Sequence, residues 1–148
     1  MSGLTTFGID LRTERGRRTV AVLLVDGVPL VRMLDGYDPM PAEEVLGTGA
    51  LVPVDPPQRV ALYECACGGG VGCANVSWVI SERRGRVRWK DAASVSMYGG
   101  ALPPEDVEDF DEHERRPRPL DIPDFTFEAG QYRAAISRAR EVFAERRP

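Results

Sequence analysis

All three cysteines of this 148-residue sequence lie in one short stretch, Cys65-Ala-Cys67-Gly-Gly-Gly-Val-Gly-Cys73. Thiolate sulfur is a preferred zinc ligand, and glycines let the backbone bend until three sulfur atoms converge. Structural zinc takes four ligands, so the single histidine, His113, or a carboxylate would have to complete the set. Alternatively, the cysteines are small buried apolar side chains in a strand connection, as free cysteines usually are. Zinc ligation by Cys65, Cys67 and Cys73 and burial as reduced thiols are therefore the two interpretations, and no other cofactor is predicted.

No catalytic set is complete in the sequence. A nucleophile with a histidine base would have to use His113, which lies in the acidic run 105–114. The surrounding carboxylates favour the charged imidazolium, which cannot act as a general base. The glycines at 68–72 lack the Lys-Ser/Thr pair and the following helix of a phosphate-binding loop. The sequence therefore favours a protein without enzymatic activity and assigns no catalytic residue.

A second group of candidate binding residues consists of cations that lie on a predicted hairpin and at its turn. Residues 74–81 and 86–91 read as strands joined at Arg84-Gly85. If that turn has two central residues, Ile80 lies opposite Trp89, and alternation gives the hairpin one apolar and one polar face. The predicted apolar face consists of Val76, Trp78, Ile80, Val87 and Trp89, and the opposite face carries Asn75, Ser77, Arg86, Arg88 and Lys90.

We call the cations on and beside that opposite face the basic face, which consists of Arg83, Arg84, Arg86, Arg88 and Lys90. An anionic partner could dock there through charge complementarity. The chain's own acidic run at 105–114 could instead cover the face, or the cations could simply be a solvated sheet surface. The basic face is therefore a candidate partner-binding site, and the partner it suits is another protein.

The elements that position these residues begin with a predicted three-stranded meander. Phe7, Ile9 and Leu11 alternate with polar residues as in a half-buried strand, and residues 19–25 are apolar on both faces. Asp26-Gly27 is a strong hairpin signal. It leads into a third strand at 28–34, where a proline favours an edge position. An exposed edge of that kind leaves room for a strand-mediated homodimer.

The remaining elements complete an α+β prediction. Residues 35–58 contain five prolines and read as a long loop with one helical turn near Ala42–Leu46, and 59–65 read as a strand. Residues 103–124 read as an acidic, proline-rich surface segment, and 128–146 as an amphipathic helix. The apolar side of that helix carries Tyr132, Ala135, Ile136, Ala139 and Phe143. We expect one domain over 1–148: an antiparallel sheet of about six strands, with the long C-terminal helix packed on one face.

Composition excludes several classes of function. The 43% hydrophobic and 28% charged fractions are typical of a globular domain, and the net charge of −4 gives no basis for general nucleic-acid binding. The N-terminus lacks the basic and apolar regions of a signal peptide. The longest aliphatic run, at 20–25, is too short to cross a bilayer. We therefore expect a cytoplasmic protein with reduced thiols and no membrane association.

Several short motifs together resemble a group of uncharacterised proteins from GC-rich bacteria. The matching stretches are Cys65-Ala-Cys67-Gly68, Gly72-Cys73, Val87-Arg-Trp89, and Phe125-Thr-Phe127 with Tyr132, Ala135 and Ile136, the last set opening the final helix. This sequence departs from the group in a cysteine loop one residue longer, and in Asp91-Ala-Ala-Ser-Val where the group has a His-Arg pair. The resemblance is weaker over the N-terminal strands, and it implies no activity.

The sequence as a whole predicts a small cytoplasmic binding protein. No catalytic constellation or cofactor motif is complete, and charge is segregated between the basic face and the run 105–114. An accessory, regulatory or immunity-type factor that binds another protein has these properties. A structural zinc-binding domain built on the cysteine stretch is the alternative.

Overall fold

Two antiparallel β-sheets and a long C-terminal helix make up the fold in the computed structural model, which describes residues 4–14, 18–66, 74–95 and 117–146. The predicted α+β class is confirmed, and the helix packs on the sheets. The N-terminal meander forms a sheet of its own rather than part of a single sheet. None of the helices within the described ranges has the length and apolar character of a membrane-spanning segment.

The smaller sheet is the predicted meander. Its strands are β1 (Phe7–Thr13), β2 (Thr19–Val25) and β3 (Val28–Pro29), in that order. Asp26 and Gly27 both have positive φ, at 52° and 78°, which suits the two-residue turn between β2 and β3. The third strand is shorter than the predicted 28–34, because the chain enters a 3₁₀ helix at Leu30–Met33. The edge proposed for homodimerisation is therefore only two residues long.

The larger sheet holds the predicted tryptophan hairpin. Its strands are β4 (Tyr37–Pro39), β5 (Gln58–Cys65), β6 (Asn75–Arg83), β7 (Arg86–Val95), β8 (Arg118–Pro119) and β9 (Phe125–Glu128). They lie in the order β4-β5-β6-β7, and β8 and β9 both pair with the far edge of β7. The predicted loop at 35–58 contains both β4 and the predicted helical turn, α1 (Ala42–Leu46).

The register of the hairpin is as predicted. Ile80 pairs with Trp89 and Glu82 with Val87, and all five residues of the predicted apolar face are at most 1% exposed. Arg84 and Gly85 have φ of 52° and 75°, so the turn has two left-handed central residues. The polar face is less uniform than the alternation suggests. Its members Asn75 and Ser77 are fully buried, on the far side of an irregularity in the β6–β7 ladder.

The last helix, α2 (Ala129–Arg146), starts directly after β9. The Glu128 carboxylate accepts hydrogen bonds from the backbone N–H groups of Gly130 (3.0 Å) and Gln131 (2.7 Å), which satisfies two donors of the first turn. Along the predicted apolar side, Tyr132, Ile136 and Ala139 are buried, and Ala135 and Phe143 are partly buried.

An aromatic cluster joins the two sheets and α2. Phe7 of β1 lies 5.4 Å from Trp89 and 4.6 Å from Tyr132, measured between ring centroids, and Trp78 lies 5.2 Å from Trp89. The cluster uses the inner face of the β6–β7 hairpin. The outer face of the same two strands, which carries most of the basic face, lies on the other side of the larger sheet.

Candidate functional site

Pairing across β5, β6, β7 and β9 arranges the outer face of the larger sheet in three rows. Residues that are opposite one another in antiparallel strands point to the same face, with Cβ atoms about 5 Å apart. The first row is Arg83, Arg86 and Glu128, the second is Ser81, Arg88 and Thr126, and the third is Arg59, Val79 and Lys90. Four of the five cations of the basic face therefore stand on one surface, and Arg84 follows at the turn.

The cations of the basic face are largely accessible to solvent. Arg83, Arg84, Arg86 and Arg88 are exposed and Lys90 is half-buried. None of the five forms an ion pair with another residue in the described part of the chain. Arg83 stands directly opposite Arg86, an arrangement of like charges that destabilises a sheet. The folded protein therefore carries a local repulsion that an anionic partner would relieve.

The nearby carboxylates of Glu82 and Glu128 form no ion pair with the cations of the basic face. Glu82 points to the inner side of the hairpin, where it forms an ion pair with Arg133 of α2. Glu128 lies across from Arg86, but its carboxylate is hydrogen bonded to the first turn of α2. The hydrogen bonds from the Gln131 and Gly130 N–H groups lower the pKa of Glu128, and the charge of Arg86 adds a smaller effect in the same direction.

Arg59 belongs to this surface, although the sequence did not indicate it. Its Nη1 donates to the Ser77 hydroxyl (3.0 Å) and to the backbone carbonyl of Asp91 (2.7 Å). Burial lowers the pKa of Arg59, while the charge of Asp91 acts in the opposite direction. Arginine nevertheless stays protonated in proteins. Arg59 therefore extends the surface by one fixed cation beside Val79 and Lys90.

A recess adjoins Arg59 at this end of the surface. Its volume is about 460 Å³, and its apolar wall includes Leu120 and Ile122. The Asp91 N–H donates to Asp124 Oδ1 (3.2 Å), and Asp91 adopts a left-handed φ of 56° where the β6–β7 ladder is irregular. The outer face thus ends in a concavity whose rim carries both a guanidinium and carboxylates.

Only part of the cysteine stretch belongs to the described residues. Cys65 is the last residue of β5, and its N–H donates to the carbonyl of Ala74 (2.9 Å). This bond holds the end of β5 beside the start of β6. Cys67, Cys73 and His113 lie outside the described ranges. Within those ranges, no three His, Cys, Asp or Glu side chains are grouped to bind a metal ion. Zinc ligation stays a prediction.

Comparison of the sequence with protein-family models, curated proteins and solved structures finds no match. The resemblance to proteins of GC-rich bacteria likewise stays a prediction. The acidic run at 105–114, considered as a cover for the basic face, lies outside the described residues. Within the described residues, the three rows and the recess beside them form the candidate binding surface.

Proposed function

We propose that this protein is a non-enzymatic binding protein whose basic face, extended by Arg59, docks an acidic surface of another protein. Its role would be that of an accessory, regulatory or immunity-type factor. The observation that carries the proposal is the arrangement of cations in adjacent rows, without ion pairs to other described residues. Their repulsion is relieved when carboxylates of a partner are placed between them.

The cations suit carboxylate recognition in particular. All except Lys90 are arginines, whose planar guanidinium groups donate two parallel hydrogen bonds to a carboxylate. They project from strands that are anchored through the aromatic cluster. Little backbone ordering would therefore accompany binding, which favours affinity. Such a surface also steers an acidic partner and makes association sensitive to salt.

The distribution of carboxylates favours a protein partner over a nucleic acid. Glu128 stands in the first row, and Asp91 and Asp124 stand at the recess. A duplex presents phosphates along its whole length and would bring negative charges close to these carboxylates. A protein surface can instead place its own cations opposite them, as complementary interfaces do.

Reversing the charge of Arg88, which stands in the second row, tests the proposal. We expect Arg88→Glu to weaken binding of the partner by about tenfold or more, because like charges then face each other across the interface. Immobilised wild-type and variant proteins are incubated with nuclease-treated native lysate. Proteins retained by the wild type and released by raised salt are identified by mass spectrometry, and their affinities are then measured with purified components.

Arg32→Glu is the matched control, because it makes the same change of charge at an exposed residue in the 3₁₀ helix after β3. We expect it to retain the partner. Equal retention by Arg88→Glu and the wild type would contradict the proposal, as would retention that occurs only in a parallel lysate left without nuclease treatment. Circular dichroism of both variants verifies that each one is folded.

A further inference from the structure

The outer edge of β1 carries a second binding feature, and the register of β1 with β2 determines its geometry. Phe7 pairs with Val25, and the flanking bonds run from the Asp26 N–H to the Thr6 carbonyl and from the Glu14 N–H to the Arg18 carbonyl, each 2.8 Å. In an antiparallel pair, residues alternate between those that bond to the partner strand and those that do not. The N–H and C=O groups of residues 7, 9 and 11 therefore point away from β2.

Side chains of α2 occupy both ends of this edge. The Gln131 carboxamide accepts the Phe7 N–H at Oε1 (2.9 Å) and donates from Nε2 to the Phe7 carbonyl (2.6 Å), just as a neighbouring strand would. Arg146 Nη1 donates to the Leu11 carbonyl (3.0 Å). Ile9 lies between them, and neither its N–H nor its C=O is hydrogen bonded to another described residue at this edge.

A groove of about 470 Å³ lies along the same edge, between β1 and α2. The helix contributes small side chains, including Ala134 and Ala135, so the space in front of Ile9 is not filled. From Phe7 to Leu11 the edge is about 13 Å long at about 3.3 Å per residue. We call this space the edge groove. Its length, together with the N–H and C=O of Ile9, suits a short extended peptide that forms backbone hydrogen bonds to Ile9.

The charge of the edge groove specifies the peptide further. Arg138 and Arg146 line it, and Arg138 forms no ion pair with a described residue. Asp10 is the only carboxylate among the described lining residues, and it is already paired with Arg12 (2.8 Å). The groove therefore presents excess positive charge beside a backbone donor and acceptor, and an acidic extended segment complements both.

The geometry points to the edge groove as a binding site for an extended, acidic peptide segment, which pairs with Ile9 as an added strand of the smaller sheet. Addition of a strand to an exposed edge is a recurring mode of peptide recognition, in which main-chain bonds supply affinity and side chains supply specificity. The edge groove is separate from the basic face: it belongs to the other sheet, and the two share no residue.

A displayed library of random seven-residue peptides, panned against the full chain, tests this inference. We expect enriched peptides to carry acidic residues. One of them, made synthetically, should slow hydrogen exchange of the Ile9 amide, measured by NMR. Ala134→Leu fills the groove from an exposed position and should weaken that peptide about tenfold. Ser137→Leu makes a comparable change at an exposed residue of α2 that does not line the groove, and it should bind normally.

Three results would overturn the inference. The first is panning that yields no peptide with a preference for the wild type over Ala134→Leu. The second is an enriched peptide that binds equally well when its central residues are N-methylated, which removes strand pairing. The third is Ile9 exchange that slows with increasing protein concentration rather than with peptide, which would assign the edge to a second copy of the chain. The Arg88→Glu variant should bind the peptide normally, so this result is distinguishable from failure at the basic face.

Discussion

The two faces of β7 carry opposite kinds of residue, although they belong to one strand. Val87 and Trp89 point inward and are fully buried, whereas Arg86 and Arg88 point outward and are exposed. The inner residues are determined by packing, because both side chains are fully buried in the core. The outer residues make no comparable contact with other described residues, and the pairing of Arg83 with Arg86 is unfavourable for folding. Packing therefore does not account for the outer pattern, whereas the binding function proposed above would.

The largest expected effect comes from truncating the inner face. Trp89→Ala should lower the free energy of unfolding by about 3–5 kcal/mol, because it leaves a cavity among Phe7, Trp78 and Phe127. Arg88→Ala should change it by less than about 0.5 kcal/mol, since the side chain is exposed. Urea denaturation followed by circular dichroism measures both. Similar losses in the two variants would invalidate the division between the faces.

An intermediate effect is expected at the hydroxyl of Tyr132. This O–H donates to the Leu51 carbonyl and accepts the Trp89 indole N–H (3.3 Å). Tyr132→Phe keeps the ring and removes both bonds, so we expect the free energy of unfolding to fall by about 1–3 kcal/mol. Urea denaturation at neutral pH gives the value. No change would show that the two partner groups find other hydrogen bonds.

Burial of Tyr132 also leads us to expect that the free energy of unfolding decreases at alkaline pH. Burial raises the pKa of Tyr132, and of Tyr63, well above the ordinary value for tyrosine. Above about pH 10 the unfolded chain loses these protons while the folded chain keeps them, so stability falls as pH rises. We expect a shallower fall in Tyr132→Phe. Equal slopes of unfolding free energy against pH in the two proteins would contradict this assignment.

The smallest expected change in the free energy of unfolding is an increase, and it comes from Arg83→Glu. Arg83→Glu replaces a like-charge pair with an opposite-charge pair across from Arg86, so it should raise the free energy of unfolding by about 0.3 kcal/mol. The same variant should bind the acidic partner more weakly. Thermal unfolding at low salt, together with partner affinity, measures both changes. No change would show that the repulsion between Arg83 and Arg86 is already screened, and a loss of stability would contradict the repulsion itself.

The hairpin was predictable because its signals are local. Arg84-Gly85 sets the turn, and strict alternation on both sides sets the register, so Trp89 and Arg88 could be assigned to opposite faces. The spacing of apolar residues over 128–146 was similarly sufficient to predict α2. The helical turn at Ala42–Leu46 was also located, but the strand β4 beside it was not, because three residues carry too little pattern to indicate a strand.

Long-range pairing could not be predicted. Strand β9 pairs with β7 across an interval of more than thirty residues, and the row that contains Arg59 depends on the pairing of β5 with β6. That ladder shifts register between Ala61 and Tyr63, so counting alternate residues from the cysteine stretch gives the wrong face for Arg59. The edge groove could not be predicted from the sequence either, because Gln131, which bonds to Phe7 at one end of it, lies 124 residues away along the chain.

The bonds between β1 and the C-terminal region have a consequence for synthesis of the chain. Thr5 donates its N–H to the Thr126 carbonyl (2.8 Å), and Phe7 is bonded to Gln131. A ribosome adds about 5–20 residues per second, so for several seconds the first strand is made but its C-terminal partners are not. During that interval the edge of β1 is open to pairing with other chains. Completion of the smaller sheet's contacts must therefore wait until Thr126 and Gln131 have left the ribosome.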